Sequence, residues 1–178
     1  VGQVMARVSV SSNGDLKQVT PIVQDNEPLN EAAKKNDPRL NFLVVMPKHA
    51  VKIGESWKDR FPTDVTIEKG LRQEVTLQRT YTLADVKGST ATIKLKTSLV
   101  TPINDPQLMV QLIQRTPSGI IEFDMDKGRI IAIKTQIDET VVGAFGPKSS
   151  MLAVTKSTEK LLPGRPEFKT ASKPKSVN

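Results

Sequence analysis

Apolar and polar positions alternate through the middle of the chain. Between residues 74 and 83 the odd positions are mostly apolar and the even positions are polar. Residues 91–99 repeat this alternation after a Lys-Gly turn at 87–88. A period of two places successive side chains on opposite faces of a strand. We therefore predict an antiparallel hairpin over residues 74–99, with one apolar and one polar face.

Further strands follow from the same reasoning. Asn13-Gly14 and Asp126-Lys127-Gly128 are turn sequences that join short apolar runs, and each pattern favours a hairpin. The predicted segments are strands at 4–10, 16–23, 41–46, 121–125, 131–137 and 151–161, and a short helix at 31–35.

A change to helical spacing marks residues 105–115. Asp105 is a suitable N-cap, and Pro106 suits the first helical position. The apolar residues that recur at helical spacing are Leu108, Met109, Leu112 and Ile113. We predict a mainly β fold of the α+β type. Its curved antiparallel sheet has about seven to nine strands, and one principal helix at 105–115 packs on the apolar face.

The length of the chain, 178 residues, favours a single domain. We predict one β-rich domain over residues 1–162. Its residues 1–46 form an N-terminal hairpin and connecting segment, and 47–162 form the main sheet and helix. From residue 163 to 178 the chain is basic and almost without apolar side chains, so it cannot offset its ordering entropy and is expected to be disordered.

Composition removes several classes of function. The chain has no cysteine, which excludes thiol catalysis and zinc–thiolate sites. No run approaches the roughly 20 apolar residues that span a bilayer, so we expect a chain that is not transmembrane. The net charge of +7 favours anionic partners, although part of that charge lies in the tail.

No catalytic or metal constellation emerges from the sequence. His49 is the only histidine, and a triad or a histidine metal site would lack its partners. Residues 124–128 begin like a calcium loop, but the glycine comes one place early and Thr135 stands where a bidentate glutamate is needed. We interpret them as a hairpin turn. The carboxylates between residues 59 and 139 are expected on solvated strand faces. We predict no enzyme activity, no catalytic residue, no metal and no cofactor.

A basic strand face is the one feature that points to anions. Lys94 and Lys96, with Arg72 on the partner strand, could meet phosphates. Proteins that bind single-stranded nucleic acid usually add stacking aromatics, and this chain is only 4% aromatic. We therefore expect no nucleic acid partner and favour a charged face that keeps the sheet soluble.

The apolar stripe of the predicted helix has two interpretations. Its side chains could line a pocket for a lipid or another hydrophobic ligand, or they could fill the core, which we favour. The residues of the possible pocket are Leu108, Met109, Leu112, Ile113, Ile93, Leu95, Ile131 and Ile133.

Two sequence motifs typical of β-turns lie within the segment predicted to form the main sheet. Residues 51–57 have the pattern V-K-x-G-x-x-W, and residues 119–129 have the pattern G-x-I-x-F-D-x-x-x-G-R. Over about residues 44–162 the chain resembles an uncharacterised bacterial family of extracytoplasmic β-rich domains. The resemblance implies an exported domain in the periplasm, in the envelope or outside the cell. It implies no activity.

These observations lead to three functional hypotheses. The first is a non-enzymatic exported domain with a structural or partner-binding role in the cell envelope, the partner being an unknown protein. The alternative is a carrier of a lipid or another hydrophobic ligand between sheet and helix. The third, which we rank last, is binding of nucleic acid or another polyanion through the basic strand face.

Overall fold

The computed structural model describes residues 6–11, 13–14, 16–21, 44–67 and 70–164. The chain divides into two compact units, one of residues 1–46 with 162–178 and the other of residues 47–161.

A two-stranded antiparallel hairpin belongs to the first unit. Strand β1 (Ala6–Val10) pairs with β2 (Leu16–Pro21) on either side of the Asn13-Gly14 turn, as predicted. Gly14 has φ of +87°, a conformation that glycine adopts without steric cost.

The strand predicted over residues 41–46 is wrong for residues 44–46, which are not in a strand. The Met46 N–H donates to the Asn13 carbonyl at 2.7 Å. Residues 44–46 nevertheless form no strand ladder with the described residues. The rest of that predicted strand, the predicted helix at 31–35 and tail residues 165–178 lie outside the described residues.

A six-stranded sheet forms the second unit. Every neighbouring pair is antiparallel, and the order of strands in space follows their order in the chain. The strands are β3 (Ser56–Thr66), β4 (Arg72–Lys87), β5 (Thr90–Leu99), β6 (Ser118–Asp124), β7 (Arg129–Val142) and β8 (Ser150–Lys160). The mainly β, antiparallel fold is confirmed, and its eight described strands divide between sheets of two and six.

Strand β3 was not predicted, because it contains a proline. Strand β3 buries Phe61, Thr63 and Val65 in strict alternation, but Pro62 interrupts its sequence pattern. Proline lacks the N–H that a central strand needs, so it argues against a strand. β3 lies at the edge of the sheet, where a missing donor is tolerated.

The predicted helix is confirmed as α1 (Pro106–Ile113), between β5 and β6. The Asp105 side chain accepts a hydrogen bond from the Gln107 N–H at 2.8 Å, and Pro106 occupies the first turn, so both sequence signals act as expected. At eight residues, α1 is far shorter than the roughly 20 residues that cross a bilayer. No other helix in the described ranges is long and apolar enough to do so.

Helix α1 packs on the apolar face of the sheet and reaches from β3 to β7. Two clusters of buried residues make these contacts. The first contains Val65, Val75, Leu108 and Leu112, and the second contains Ile113, Ile137, Val141 and Ala144. Because β3 and β7 lie four positions apart in the sheet, one short helix can contact both only if the sheet curves around it.

Hydrogen bonds join α1 and the residues after it to the backbone of edge strand β3. The Gln111 side-chain amide donates to the Thr66 carbonyl and accepts from the Thr66 N–H, both at 2.8 Å. The Arg115 guanidinium donates to the Thr63 hydroxyl and to the Asp64 carbonyl. Gln111 thus bonds both backbone groups of Thr66, as a neighbouring strand would.

Replacing Gln111 with leucine should lower the free energy of unfolding by about 1 kcal/mol, because two hydrogen bonds are lost. Gln107→Leu is the matched control, since the Gln107 side chain is exposed on the same helix. Urea denaturation of both variants measures the difference. Equal losses in the two variants would contradict a specific role for Gln111 at the edge of β3.

Candidate functional site

Two rows of polar side chains cross the sheet on the face opposite α1, here called the polar face. Cross-strand pairing sets both rows. The first consists of Lys58, Thr80, Lys96, Ser118, Gln136 and Lys156, and the second of Ser56, Thr82, Lys94, Ile120, Lys134 and Thr158. Ile120 is the only apolar member of either row.

The spacing of the strands sets the spacing of the charges. Neighbouring strands lie about 4.8 Å apart, so Lys94 and Lys134, two strands apart, stand about 10 Å from each other along their row. Lys96 and Lys156, three strands apart, stand about 14 Å from each other. The two rows together form a lattice of lysine side chains separated by hydroxyl and amide side chains and, between Lys94 and Lys134, by Ile120.

An open groove of about 630 Å³ lies between these rows. Residues of the intervening row, Leu95, Gly119, Thr135 and Ser157, also line it, although their side chains alternate to the other face. Backbone therefore forms the floor. A Cβ atom at Gly119 would lie 2.1 Å from the Lys134 carbonyl oxygen, so only glycine lets β6 approach β7 this closely.

The groove has a strong positive character. Lys94, Lys96, Lys134 and Lys156 line it, and no lining residue is acidic. Lys134 forms an ion pair with Glu122 at 3.2 Å. The other three lysines have no ion pair within the described part of the chain. Three unneutralised charges therefore face one concave surface.

A smaller recess of about 240 Å³ adjoins the groove at Lys96, which lines both. It exists because β6 begins at Ser118, opposite Lys96, while β5 and β7 continue past that point. Helix α1 covers the gap on the apolar face. The apolar side chains that line the recess are Leu99, Met109, Leu112, Ile113 and Val141.

Thr97 lines the recess and has a buried hydroxyl. The residue is only 6% exposed, and its Oγ1 has no hydrogen-bond partner among the described residues. Thr116, also in the wall, donates its hydroxyl to the Ile113 carbonyl at 3.0 Å. An unpaired buried hydroxyl is unfavourable. This oxygen is not accessible from the recess, so other atoms of Thr97 form that part of the wall.

The residues of the predicted apolar pocket do not gather at one place. Met109, Leu112 and Ile113 line the recess, whereas Leu108 belongs to the core cluster beneath β3 and β4. None of the four strand members lines the recess. Ile93 and Ile133 are joined through Ile121 in one cross-strand row, Leu95 lies on the floor of the groove, and Ile131 lies at the start of β7.

Comparison with known proteins identifies a family whose function is unknown. A family model described as "Family of unknown function (DUF6263)" matches residues 30–130, more than half of the chain. The chain belongs to the DUF6263 family. The predicted resemblance to an uncharacterised family is confirmed at this level. No curated protein and no solved structure matches the chain.

The matched region of the DUF6263 family includes part of the groove. Lys94, Lys96 and Gly119 fall inside residues 30–130, together with the whole of α1. Lys134 and Lys156 lie beyond its end. The family match therefore covers the helix, the recess side of β5 and about half of the lysine lattice.

The other candidates from the sequence lie outside both concave surfaces. His49 is exposed in a bend before β3. Asp124 accepts a hydrogen bond from the Lys127 N–H at 3.0 Å in the turn between β6 and β7, the role that the turn interpretation predicted. Arg72 forms an ion pair with Asp64 at 3.9 Å and does not line the groove. No group of three or more His, Asp or Glu side chains in the described ranges could hold a metal ion.

Sequence reasoning identified only half of the lysines of the groove. Lys94 and Lys96 stand on one strand and are visible as a pair. Lys134 and Lys156 join them only through the pairing of β5 with β6, β7 and β8. Their signal was a polar position in an alternating strand, which is also the signal of an ordinary solvated face.

Replacing Thr97 with valine should raise the free energy of unfolding by about 1 kcal/mol, because it removes an unpaired buried hydroxyl at nearly constant volume. Thr116→Val is the matched control and should be destabilising, since that hydroxyl is bonded. Thermal and urea denaturation of the two variants gives the comparison. A destabilised Thr97→Val variant would show that the hydroxyl is satisfied in solution.

Proposed function

We propose that this domain is a non-enzymatic binding module whose lysine-lined groove binds an anionic partner. The observation that supports the proposal is the clustering of Lys94, Lys96 and Lys156, without ion pairs, on one concave surface that has no acidic lining residue. This ranks anion binding, placed last on sequence grounds, above a purely structural role.

The distribution of basic residues supports a role in binding. Elsewhere in the second unit some basic side chains form ion pairs, as Lys87 does with Asp85 at 3.3 Å, and others, such as Lys48, are exposed in loops without one among the described residues. The groove instead gathers lysines without ion pairs on one concave surface that has no acidic lining residue. A solubilising surface usually mixes both signs of charge. A cluster of one sign in a concavity instead raises the local concentration of counter-charged ligand.

The groove lining favours recognition of charge and hydroxyl groups over recognition of bases. Its polar side chains besides lysine are hydroxyls and one amide, from Thr80, Thr82, Ser118, Gln136 and Thr158 among others, and none of its residues is aromatic. Base stacking on aromatic rings is the usual basis of single-strand binding. We therefore favour a flexible anionic polymer or amphiphile over nucleic acid.

The groove also lacks the residues of acid–base chemistry. Its lining contains no histidine, aspartate or glutamate. A pair of carboxylates, or a base with its orienting partner, would be expected in a hydrolytic site. This composition supports binding without turnover.

Changing Lys94, Lys96 and Lys156 together to glutamine should weaken binding of dextran sulfate at least about tenfold, because three exposed charge contacts are lost. Wild-type binding should also weaken as salt rises from about 10 mM to about 150 mM, since the Debye length falls from about 30 Å to about 8 Å. Isothermal titration calorimetry measures both effects.

The matched control changes Lys48, Lys52 and Lys148 to glutamine. These lysines are exposed in loops of the same unit, and the net charge changes by the same amount. Equal weakening in both triple variants would mean that net charge, and not the groove, governs binding, and the proposal would fail.

We infer in addition that the domain acts outside the cytoplasm of a bacterium. The support is the resemblance of residues 51–57 and 119–129 to extracytoplasmic domains. Fractionation of cells that make the full-length natural protein should place it with a periplasmic or envelope marker. Recovery with a cytoplasmic marker alone would contradict this inference.

A further inference from the structure

We propose that the ligand of the groove is an amphiphile, whose anionic headgroup binds at Lys96 and whose apolar chain enters the recess beneath α1. This inference rests on the proposed function, because it takes anion binding in the groove as given and identifies the chemical class of the anion.

The first argument is continuity. The groove and the recess share Lys96, where the missing end of β6 opens the sheet between β5 and β7. A ligand at Lys96 therefore has the lysine lattice on one side and an opening toward the apolar face on the other. A linear polyanion without an apolar part would use only the first of these surfaces.

The second argument is the chemistry of the recess. Five apolar side chains line it, three of them from α1, and about 240 Å³ is well above the volume that one water molecule occupies. The other six lining residues are polar or charged, so it is the side formed by α1, Leu99 and Val141 that favours an apolar group over water. An alkyl chain that enters it would bury its methylene groups against Met109, Leu112 and Val141.

The third argument is the distribution of charge around the recess. Glu139 stands on the β7 side of the recess, so repulsion directs the headgroup toward the β5 side, where Lys96 lies.

The test uses butyl, hexyl and octyl sulfate as monomers below their micelle concentrations, with inorganic sulfate as the chain-free probe. Affinity measured by calorimetry should rise about fourfold for each added methylene until the recess is full. Lys96→Gln should weaken every member of the series.

Two tryptophan variants show where the alkyl chain of the ligand binds. Met109→Trp fills the recess and should abolish the dependence on chain length, whereas Met125→Trp, at the exposed turn between β6 and β7, should leave it unchanged. Circular dichroism confirms that both variants are folded. If Met109→Trp is misfolded, Met109→Gln, which has a similar volume, makes the recess more polar and should reduce the gain in affinity per methylene.

The outcomes separate the two proposals. Binding of dextran sulfate that depends on the groove lysines, without any dependence on alkyl chain length, overturns the amphiphile and leaves the proposed function intact. If the protein binds neither dextran sulfate nor the alkyl sulfates, both the proposed function and the amphiphile inference are overturned. If affinity still depends on alkyl chain length in Met109→Trp, the alkyl chain binds outside the recess, and the inference is overturned.

One further experiment distinguishes a membrane lipid from a free amphiphile as the ligand. Sedimentation with phosphatidylglycerol vesicles, compared with phosphatidylcholine vesicles, tests a lipid within a membrane. Co-sedimentation that Met109→Trp abolishes identifies a membrane lipid. Binding of octyl sulfate without co-sedimentation identifies a free amphiphile.

Discussion

The structure of the main sheet depends on one short helix that holds two distant strands. Gln111 bonds both backbone groups of Thr66 on β3, while Ile113 packs with Ile137 and Val141 on β7. Twist alone would leave six antiparallel strands as an open propeller. Contact of α1 with strands four positions apart adds curvature and fixes which face is apolar. The polar face, with its lysines, is a consequence of that assignment.

The same helix explains why groove and recess adjoin. Strand β6 has seven residues and β7 has fourteen, so β7 extends beyond the end of β6. At that end the chain forms α1, not more of β6, and the Pro117 carbonyl accepts the Thr97 N–H at 3.1 Å in place of a ladder. The helix therefore replaces part of a strand. A helix cannot fill the same space as a strand, and the difference is the recess.

Local signals predicted the elements well, and the failures have physical causes. Alternation over residues 74–99 and the Asp105-Pro106 cap act within a few residues, so a single sequence displays them. Pro62 concealed β3 because its cost depends on whether the strand lies at an edge, which is a tertiary property. The site was harder to predict. Its lysines come from β5, β7 and β8, and the register shift between Glu122 and Phe123 changes which positions of β6 and β7 share a row.

The lysine lattice also links ligand binding to stability. Like charges about 10 Å apart repel one another, and the repulsion is only partly screened at physiological salt. Lys134 relieves some of it through Glu122, but Lys94, Lys96 and Lys156 have no such partner in the described part of the chain. The folded state therefore contains an unfavourable interaction that an anion removes. Any ligand that binds only the folded state stabilises it by an amount that grows with the logarithm of the ligand concentration above the dissociation constant.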